Sequence, residues 1–254
     1  MERVRAWRPE VPGVSEVLHA HFTEHAYPAH VHEQWTLLLV DSGGVDYTLG
    51  GRRRQAVTRR LTVLPPYVSH DGRAASPGGF DKRVLYVDGR WLPERLTGAA
   101  VRAPSIADRE LVGAVSALHR SLDDALEAAD RLALVAERIT LHLDERAAPT
   151  PTRDRGLARE IRCRLDDDEP SLEELARELG THPSHLVRVF RREYGLPPHR
   201  YLVGRRLDRA RRLLLDGMPI AEVAVATGFH DQPHPTRHFR ALLGTTPGRF
   251  RMAA

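Results

Sequence analysis

Three histidines in the first third of the sequence have the residue type and spacing that suit the binding of a small ligand. His30 and His32 stand two residues apart, and His70 follows a Pro-Pro stop at 65–66. Alternate residues of a strand point to the same face, so the first two imidazoles can act together. His30, His32 and His70 are therefore candidates for one shared binding site.

Arginines near the C-terminus suggest a second kind of chemistry. Arg188 and Arg237 lie 49 residues apart, and so do Arg191 and Arg240. A guanidinium can bind guanine in a bidentate manner or neutralise a phosphate. From position 182 onward there are 13 Arg against 5 acidic residues, a balance of +8, although the whole chain carries only +4. A basic segment on a near-neutral remainder predicts a polyanionic partner, most simply DNA.

These arginines belong to a degenerate internal repeat. The offset between its copies is 48 residues up to a glycine and 49 residues beyond it, which indicates a one-residue insertion in the turn. The recurring pairs are Ala176 and Ala224, Gly180 and Gly228, and Phe190 and Phe239. Each copy predicts a helix, a tight glycine turn and a second helix, so the sequence predicts two helix-turn-helix units in tandem.

The bulk composition excludes several classes of protein. The composition is that of a globular protein of one large or two ordinary domains. No apolar run approaches the roughly 18 residues of a membrane helix, and the charged N-terminus lacks the apolar core of a signal peptide. Cys163 is the single cysteine, which excludes a disulfide framework or a zinc finger. These features predict a cytoplasmic protein.

The N-terminal part predicts short strands separated by Gly and Pro turns, as in a β-sandwich or small barrel. We predict strands at Trp35–Val40, Val45–Leu49, Leu61–Leu64 and Arg83–Val87, with a turn at Asp41–Gly44 between the first two. Two amphipathic helices follow at residues 106–121 and 124–145. They either cover the sheet or form a dimer seam, and residues 146–155 predict an exposed linker.

The C-terminal part predicts helices throughout. A helix at 156–165 precedes Ser171, which forms a capping box with Glu174 and begins the first unit. Gly180 suits a left-handed C-cap, and His182 with Pro183 suits the start of the next helix. A connecting helix at 198–215 leads to the second unit, with helices at 220–227 and about 231–243 on either side of Gly228.

The segments SLEELARELGTHPSHLVRVFRREYGLPPHRYL, RRLDRARRLL and IAEVAVATGFHDQPHPTRHFRALLGTTPGRFR resemble the DNA-binding domain of the AraC family of transcription regulators. The resemblance covers residues 156–251. More weakly, PAHVHEQWTLLLVDSG and LPPYVSH resemble the cupin-like effector domain common in that family. The resemblance implies an α+β protein of two domains. Residues 1–150 would form an antiparallel, cupin-like β-barrel with flanking helices that binds an effector or dimerises. In that barrel, His30, His32, Trp35 and His70 would line the site for a small-molecule effector. Residues 151–254 would form an all-α domain of two helix-turn-helix units joined by a long helix.

The cupin resemblance also raises a metal interpretation, because cupin enzymes hold iron, manganese or zinc with such histidines. Their pattern needs a Glu a few residues after the second His, where Thr36 and Leu37 stand. Glu33 directly follows His32 and so points to the opposite face of a strand. Three imidazoles can still hold zinc with an open position. We predict no metal and no cofactor, and retain the zinc site as an alternative.

In the first unit, Arg188 is a candidate to read guanine, Ser184 and His185 lie on the same outer face, and Arg191 and Arg192 are better placed for phosphates. In the second unit, Gln232 can read adenine and Thr236 can contact a thymine methyl. Arg237 and Arg240 take the places of Arg188 and Arg191.

One residue of the second unit departs from the repeat. Pro235 stands where Leu186 stands in the first unit, so a backbone hydrogen bond and some packing are lost. The helix is therefore predicted to begin late or fray. On the connecting helix, arginines alternate with apolar residues that hold the two units in register, and we expect some of them to contact backbone phosphate. They are Arg205, Arg206, Arg209, Arg211 and Arg212.

Three hypotheses follow. The favoured one is a sequence-specific, effector-responsive transcription regulator that is not an enzyme. Its predicted partners are double-stranded promoter DNA and a small-molecule effector, with RNA polymerase and a second copy of the chain as further candidates. The alternatives are a cupin-type metalloenzyme with an appended DNA-binding domain, and an architectural DNA binder whose sheet only dimerises.

Overall fold

The computed structural model describes residues 2–145, 153–167, 170–228 and 246–252, which form a sheet domain followed by a helical domain. The strands are β1 Arg3–Trp7, β2 Val14–Phe22, β3 Tyr27–His30, β4 Trp35–Leu49, β5 Arg52–Val57, β6 Leu61–Leu64, β7 His70–Ala74, β8 Phe80–Val87 and β9 Ser105–Ile106. A 3-10 turn, Glu94–Leu96, precedes the helices α1 Thr97–Arg102, α2 Arg109–Arg120 and α3 Ala125–Asp144. The helical domain contains α4 Arg153–Asp167, α5 Leu172–Glu178, α6 Pro183–Tyr194, α7 Pro198–Leu215, α8 Ile220–Ala226 and α9 Pro247–Met252.

All strand pairs are antiparallel, and β4 belongs to both halves of the barrel. One half has the order β1-β2-β8-β4-β6-β9, and the other pairs the far end of β4 with β5 and β7, and β7 with β3. The predicted turn at Asp41–Gly44 is wrong, because β4 continues through it with a register shift between Val40 and Ser42. Gly43 has a φ of +68°, and a Cβ there would lie 2.1 Å from the Gly79 carbonyl oxygen. These glycines permit a close approach of strands at a bend.

Side chains of β4 alternate between two different cores. Trp35, Leu37 and Leu39 are buried in a cluster with the apolar faces of α2 and α3. Leu38 and Val40 are buried on the opposite face, in a cluster that includes residues of α7. The helices α2 and α3 therefore cover one face of the sheet, which confirms the first of their two predicted roles. The outer side of α3 leaves Leu134 and Leu141 exposed at 65% and 60%.

Local capping residues define the helical domain as predicted. Ser171 and Glu174 form the capping box of α5, with N···O distances of 3.2 and 2.9 Å. Gly180 follows α5 with a φ of +59°, and the His182 ring accepts a hydrogen bond from the Ser184 amide at the start of α6. Residues 153–155, predicted as linker, belong to α4 because that helix begins at Arg153. The connecting helix α7 has the predicted bounds.

The connecting helix also joins the two domains. Leu207, Ala210 and Leu214 of α7 are buried in the cluster on the second face of the sheet, together with Val223 of α8 and Phe250 of α9. Val31 packs into the core of the first helix-turn-helix unit, where a Cβ on Gly204 would lie 3.1 Å from its Cγ2. The face of the sheet that α2 and α3 leave open is thus closed by the helical domain.

Candidate functional site

The three predicted histidines converge in a cavity inside the barrel. His30 ends β3, His70 begins β7 opposite it in register, and His32 follows two residues after His30. Their ring centroids are 4.4, 4.8 and 5.2 Å apart, and one ring nitrogen of each lies within 4.8 Å of the others. All three side chains are buried. The sheet register therefore brings together residues that are 40 positions apart in sequence.

Each imidazole is held by a hydrogen bond through its Nδ1 atom. His30 Nδ1 lies 2.7 Å from the Pro28 carbonyl oxygen, and His70 Nδ1 lies 3.1 Å from that of Val68. His32 Nδ1 lies 3.0 Å from a carboxylate oxygen of Asp208 on α7. Carbonyl and carboxylate oxygens only accept hydrogen bonds, so each Nδ1 carries the proton. In the neutral ring, Nε2 then has a free lone pair.

Burial keeps these rings neutral. It lowers the pKa of His70 to about 3 and lowers the pKa of His30 well below its ordinary value, with the neighbouring imidazoles adding to both effects. Burial also lowers the pKa of His32, although the hydrogen bond to Asp208 opposes the shift. The three histidines therefore present unprotonated nitrogen acceptors at neutral pH.

The cavity has a volume of about 50 Å³ and a mixed lining. Thr36 lines it at the place where the cupin pattern would have a Glu, and its buried hydroxyl has no hydrogen-bond partner among the residues that the structure describes. Lys82, Tyr86 and Arg211 line it too. Burial lowers the pKa of Lys82 to about 7, and the charge of Arg211 adds to that effect. The cavity thus combines neutral imidazoles with the Arg211 cation and with an amine that is partly protonated at neutral pH.

Trp35 is a correction to the predicted effector-site residues. Its side chain is fully buried in the core between the sheet and α2 and α3, on the face opposite to the cavity. The reason is the alternation along β4: Thr36 and Leu38 point into the cavity, so Trp35 points away from it. Tyr47, further along the same strand, does line the cavity.

A buried ionic network behind the cavity joins the sheet to α7. Arg211 Nε lies 2.8 Å from a Glu16 carboxylate oxygen, and its guanidinium donates to the Tyr86 hydroxyl at 3.1 Å and lies 3.3 Å from Asp208. Burial raises the pKa of Glu16 to about 7 against the opposing charge of Arg211. Burial acts in the same direction on Asp208, but the His32 hydrogen bond and Arg211 outweigh it and hold the pKa of Asp208 well below its usual value. The cavity wall therefore includes a side chain of the helical domain.

Other arginines of α7 also contact the sheet domain. Arg205 lies 2.7 Å from Glu33, which forms an ion pair with Arg212 as well. Arg211 is not available for the phosphate contact expected of some of these arginines, because its side chain is buried, whereas Arg209 is exposed. Glu33 points away from the histidines, as its place next to His32 predicted, and it stabilises the interface between the domains.

The loop before His70 contacts the first helix-turn-helix unit. The Ser69 amide donates to the Tyr194 carbonyl at the end of α6, with an N···O distance of 3.0 Å. Tyr67 lies 4.1 Å from the Arg162 guanidinium of α4, and its amide donates to the His32 carbonyl at 2.7 Å. His32 and His70 are therefore connected to α7 and α6 through short chains of contacts.

The helix α6 presents the predicted polar face to solvent. Leu186, Val189 and Phe190 are buried against α4 and α5, as the sequence pattern predicted. On the other side, Ser184, Arg188, Arg191 and Arg192 are exposed, and His185 is half-buried. Within the described residues, Arg188 and Arg191 make no ion pair. This face is basic and open to a partner.

The second unit is described as far as its turn. The helix α8 ends one residue before Thr227, and Gly228 follows with a φ of +69°. That matches the predicted helix and glycine turn. The residues predicted to read DNA from the second unit lie outside the described residues, as does the departure at Pro235. They are Gln232, Thr236, Arg237 and Arg240.

Sequence reasoning missed three residues of the cavity region. Lys82, Arg211 and Asp208 were not among the predicted effector-site residues. A signal existed for Lys82, since it is the single lysine of the chain and shares its strand face with Phe80, Val84 and Tyr86. Asp208 and Arg211 gave no comparable signal, because their contacts with His32 and Glu16 of the sheet domain span 176 and 195 residues. None of the helices in the described ranges combines the length and apolar composition of a membrane span.

Comparisons with known proteins agree with both halves of this arrangement. Residues 12–142 match the family model of the AraC-like ligand binding domain, and residues 175–253 match that of a helix-turn-helix domain. The virulence regulon transcriptional activator VirF of Yersinia enterocolitica is 34% identical over 82 residues, which cover 32% of this chain and 30% of VirF. The transcriptional activator NphR of a Rhodococcus species is 28% identical over 240 residues, 86% of this chain and 70% of NphR.

A solved structure extends the likeness over the whole fold. This chain matches the crystal structure of unsaturated fatty acid-bound ToxT from Vibrio cholerae with a TM-score of 0.67 at 11% identity. The match covers 100% of this chain and 95% of the ToxT chain. The match shows a shared two-domain fold. The ligand-domain model alone covers about half of this chain. The chain therefore belongs to the AraC family of transcription regulators.

Proposed function

We propose that this chain is a sequence-specific DNA-binding transcription regulator whose activity responds to a small molecule in the histidine cavity. The observation that carries the proposal is the outer face of α6, where Arg188 and Arg191 are exposed while the apolar side holds the helix in a helix-turn-helix unit. The tandem repeat supplies a second such unit. Two units fixed by α7 would contact adjacent major-groove segments on one side of the duplex.

The side chains of the first unit divide into two roles. Arg188 reads guanine, with Ser184 and His185 beside it, while Arg191 and Arg192 bind phosphates. In the second unit, the repeat assigns adenine to Gln232, a thymine methyl to Thr236 and the arginine roles to Arg237 and Arg240. If about six phosphates are neutralised, the affinity falls by about 10³ between 50 and 200 mM salt.

We assign effector binding to His30, His32 and His70 together with Lys82. In the crystal structure of ToxT, that protein binds an unsaturated fatty acid. A cavity of about 50 Å³ favours a much smaller ligand in this chain, since a single water needs about 10–15 Å³ of the same kind of space. A small ligand that donates hydrogen bonds to the three Nε2 atoms and carries an acidic group toward Lys82 and Arg211 fits both the volume and the lining.

We divide the chain into an effector domain at 1–150 and a DNA-binding domain at 151–254, located in the cytoplasm and without enzymatic activity, because the named relatives are transcription regulators. RNA polymerase is a further partner. A second copy of the chain is another proposed partner. Leu134 and Leu141 are exposed one heptad apart on α3, so changing both to Glu and measuring sedimentation tests for a dimer.

The DNA proposal is tested by selecting genomic fragments on the pure protein and measuring binding to a retained fragment by fluorescence anisotropy. Arg188→Ala should weaken binding by about 1–3 kcal/mol and relax specificity at one base pair. Arg191→Ala should weaken binding to all sequences and reduce the salt slope by about 1.

Arg73→Ala is the matched control, because it removes one exposed arginine from strand β7 of the sheet domain. It should leave affinity and salt slope at wild-type values. Equal binding to selected and random fragments, unchanged by Arg188→Ala, would contradict the proposal.

A further inference from the structure

We propose that His30, His32 and His70 form a three-histidine site for a divalent transition-metal ion such as Zn²⁺, and that Asp208 of the DNA-binding domain completes its outer shell. The sequence alone favoured a metal-free site, because the carboxylate ligand of the cupin pattern is absent. The geometry of the three rings points the other way.

Hydrogen bonding determines which nitrogen of each ring is free to bind a metal ion. Each ring donates a hydrogen bond from Nδ1 to an oxygen atom. The Nδ1···O distances are 2.7 Å for His30, 3.0 Å for His32 and 3.1 Å for His70. Metal-bound histidines almost always donate their second ring N–H to a carbonyl or carboxylate in this way. The three Nε2 atoms are left as acceptors without a proton. A divalent metal ion is a partner that all three can share.

The spacing of the ring nitrogens can also be compared with what zinc requires. Tetrahedral zinc holds its nitrogen ligands at about 2.0–2.1 Å, which places those nitrogens roughly 3.4 Å from one another. The ring nitrogens here lie within 4.8 Å, on three backbone segments fixed by the β3–β7 pairing and the adjoining loop. Binding would require small rotations of the side chains that bring these nitrogens closer together. Three histidines leave one coordination position open toward the cavity.

The lining of the cavity specifies what takes the open position. Lys82 lines the same cavity as the histidines. Its ammonium opposes a bare dication and attracts an anion bound to that dication. The site is therefore suited to a metal ion that carries a hydroxide or a small carboxylate, with the Thr36 hydroxyl, which has no partner in the described part of the chain, as a further polar contact.

The outer-shell contacts link the metal site to the DNA-binding domain, and this regulatory part of the inference rests on the proposed function. Asp208 is on α7, so the chain of metal, His32 and Asp208 crosses from one domain to the other. His70 connects to α6 through Ser69, whose amide donates to Tyr194. An ion that fixes His32 and His70 also fixes their contacts with both helices. Metal occupancy would thereby restrict how the first helix-turn-helix unit sits relative to the sheet.

The test begins with the full chain, stripped by a chelator and titrated with Zn²⁺ by calorimetry. We expect one equivalent to bind. His70→Ala should abolish this binding, and Asp208→Asn should weaken it by about 10–100-fold, as outer-shell changes typically do. His199→Ala, which removes an exposed histidine of α7, is the control and should bind like wild type. Equal binding by wild type and His70→Ala would overturn the inference.

Absorption spectroscopy of the wild-type chain with Co²⁺ tests the site without variants, which can fail to fold. Co²⁺ should produce the visible bands of a four-coordinate nitrogen and oxygen site, and Zn²⁺ should displace it. A sulfur-to-cobalt charge-transfer band would place the ion on the exposed Cys163 instead and would overturn the inference.

The regulatory part is measured as DNA affinity with and without Zn²⁺. We expect a metal-dependent change in wild type that Asp208→Asn reduces. Unchanged affinity in a protein that binds both metal and DNA would overturn the coupling. Failure to bind DNA at all, with Zn²⁺ still bound, would count against the proposed function and leave the metal site standing.

Discussion

The two faces of the barrel sheet are built from opposite kinds of contact. The face under α2 and α3 is an apolar core, in which Trp35, Leu111 and Leu132 are fully buried. The face under α7 contains three buried histidines and the ions Glu16, Asp208 and Arg211, besides its apolar residues. Buried charges are often no more stabilising than apolar residues of the same volume, and sometimes less. The first face therefore supplies stability, whereas the composition of the second is what the proposed binding site and its proposed link to DNA recognition require.

The largest effect is expected on the ionic face. Arg211→Gln leaves Glu16 and Asp208 buried near an uncharged side chain, which should lower the free energy of unfolding by about 3–5 kcal/mol. The double variant with Arg211→Gln and Glu16→Gln should lose less free energy of unfolding than Arg211→Gln alone, because one of the two buried carboxylates is then removed. Urea unfolding followed by circular dichroism measures both. Strictly additive losses would show that the two side chains do not act as a pair.

On the apolar face, Leu132→Ala should lower the free energy of unfolding by about 2–5 kcal/mol through a cavity in the core. Because this face has no part in the site, DNA affinity measured under folded conditions should stay at the wild-type value. Leu126→Ala, at 83% exposed on the same helix, is the matched control and should change stability little. A change of DNA specificity in Leu132→Ala would break the division between the faces.

A smaller, pH-dependent effect is expected at the edge of the apolar face. Asp108 caps α2 and binds His142 and Arg138, and those contacts, the hydrogen bond from His142 first, hold its pKa well below the ordinary value. A carboxylate with a lowered pKa stabilises the fold above the unfolded pKa of about 3.9, and the effect is lost as the pH falls through the folded pKa.

Asp108→Asn should therefore lower the free energy of unfolding by about 1 kcal/mol at pH 7, which is within the range for the loss of an N-cap. The difference from wild type should shrink as the pH falls below about 4. Urea midpoints of the two proteins between about pH 3 and 7 measure it. A difference that grows on acidification would contradict this sign.

The smallest effect on stability is expected on the outer face of α6. Arg188→Ala removes an exposed side chain without an ion pair in the described part of the chain, so the free energy of unfolding should change by at most about 0.5 kcal/mol. Its DNA affinity should nevertheless fall strongly. Thermal unfolding beside anisotropy separates the two quantities. A large loss of stability would mean that Arg188 stabilises the fold rather than serving to contact DNA.

The parts of this fold that the sequence predicted are those encoded locally. Ser171, Gly180 and His182 define helix ends through contacts within a few residues, so α5, α6 and α7 lie where the pattern indicated. The turn at 41–44 failed because Gly43 is needed for the approach of Gly79, which is distant in sequence. The histidines were predicted from their spacing, whereas Asp208 and Arg211 enter the cavity region only through the docking of two domains.

Arg211 closes the cavity from the helical domain, and this limits how freely the protein can be rebuilt from parts. A chimera that joins the sheet domain to a foreign DNA-binding module would lose one wall of its sensor. A graft that extends from the barrel through Leu215 would keep that wall, but it would also carry the first helix-turn-helix unit with it.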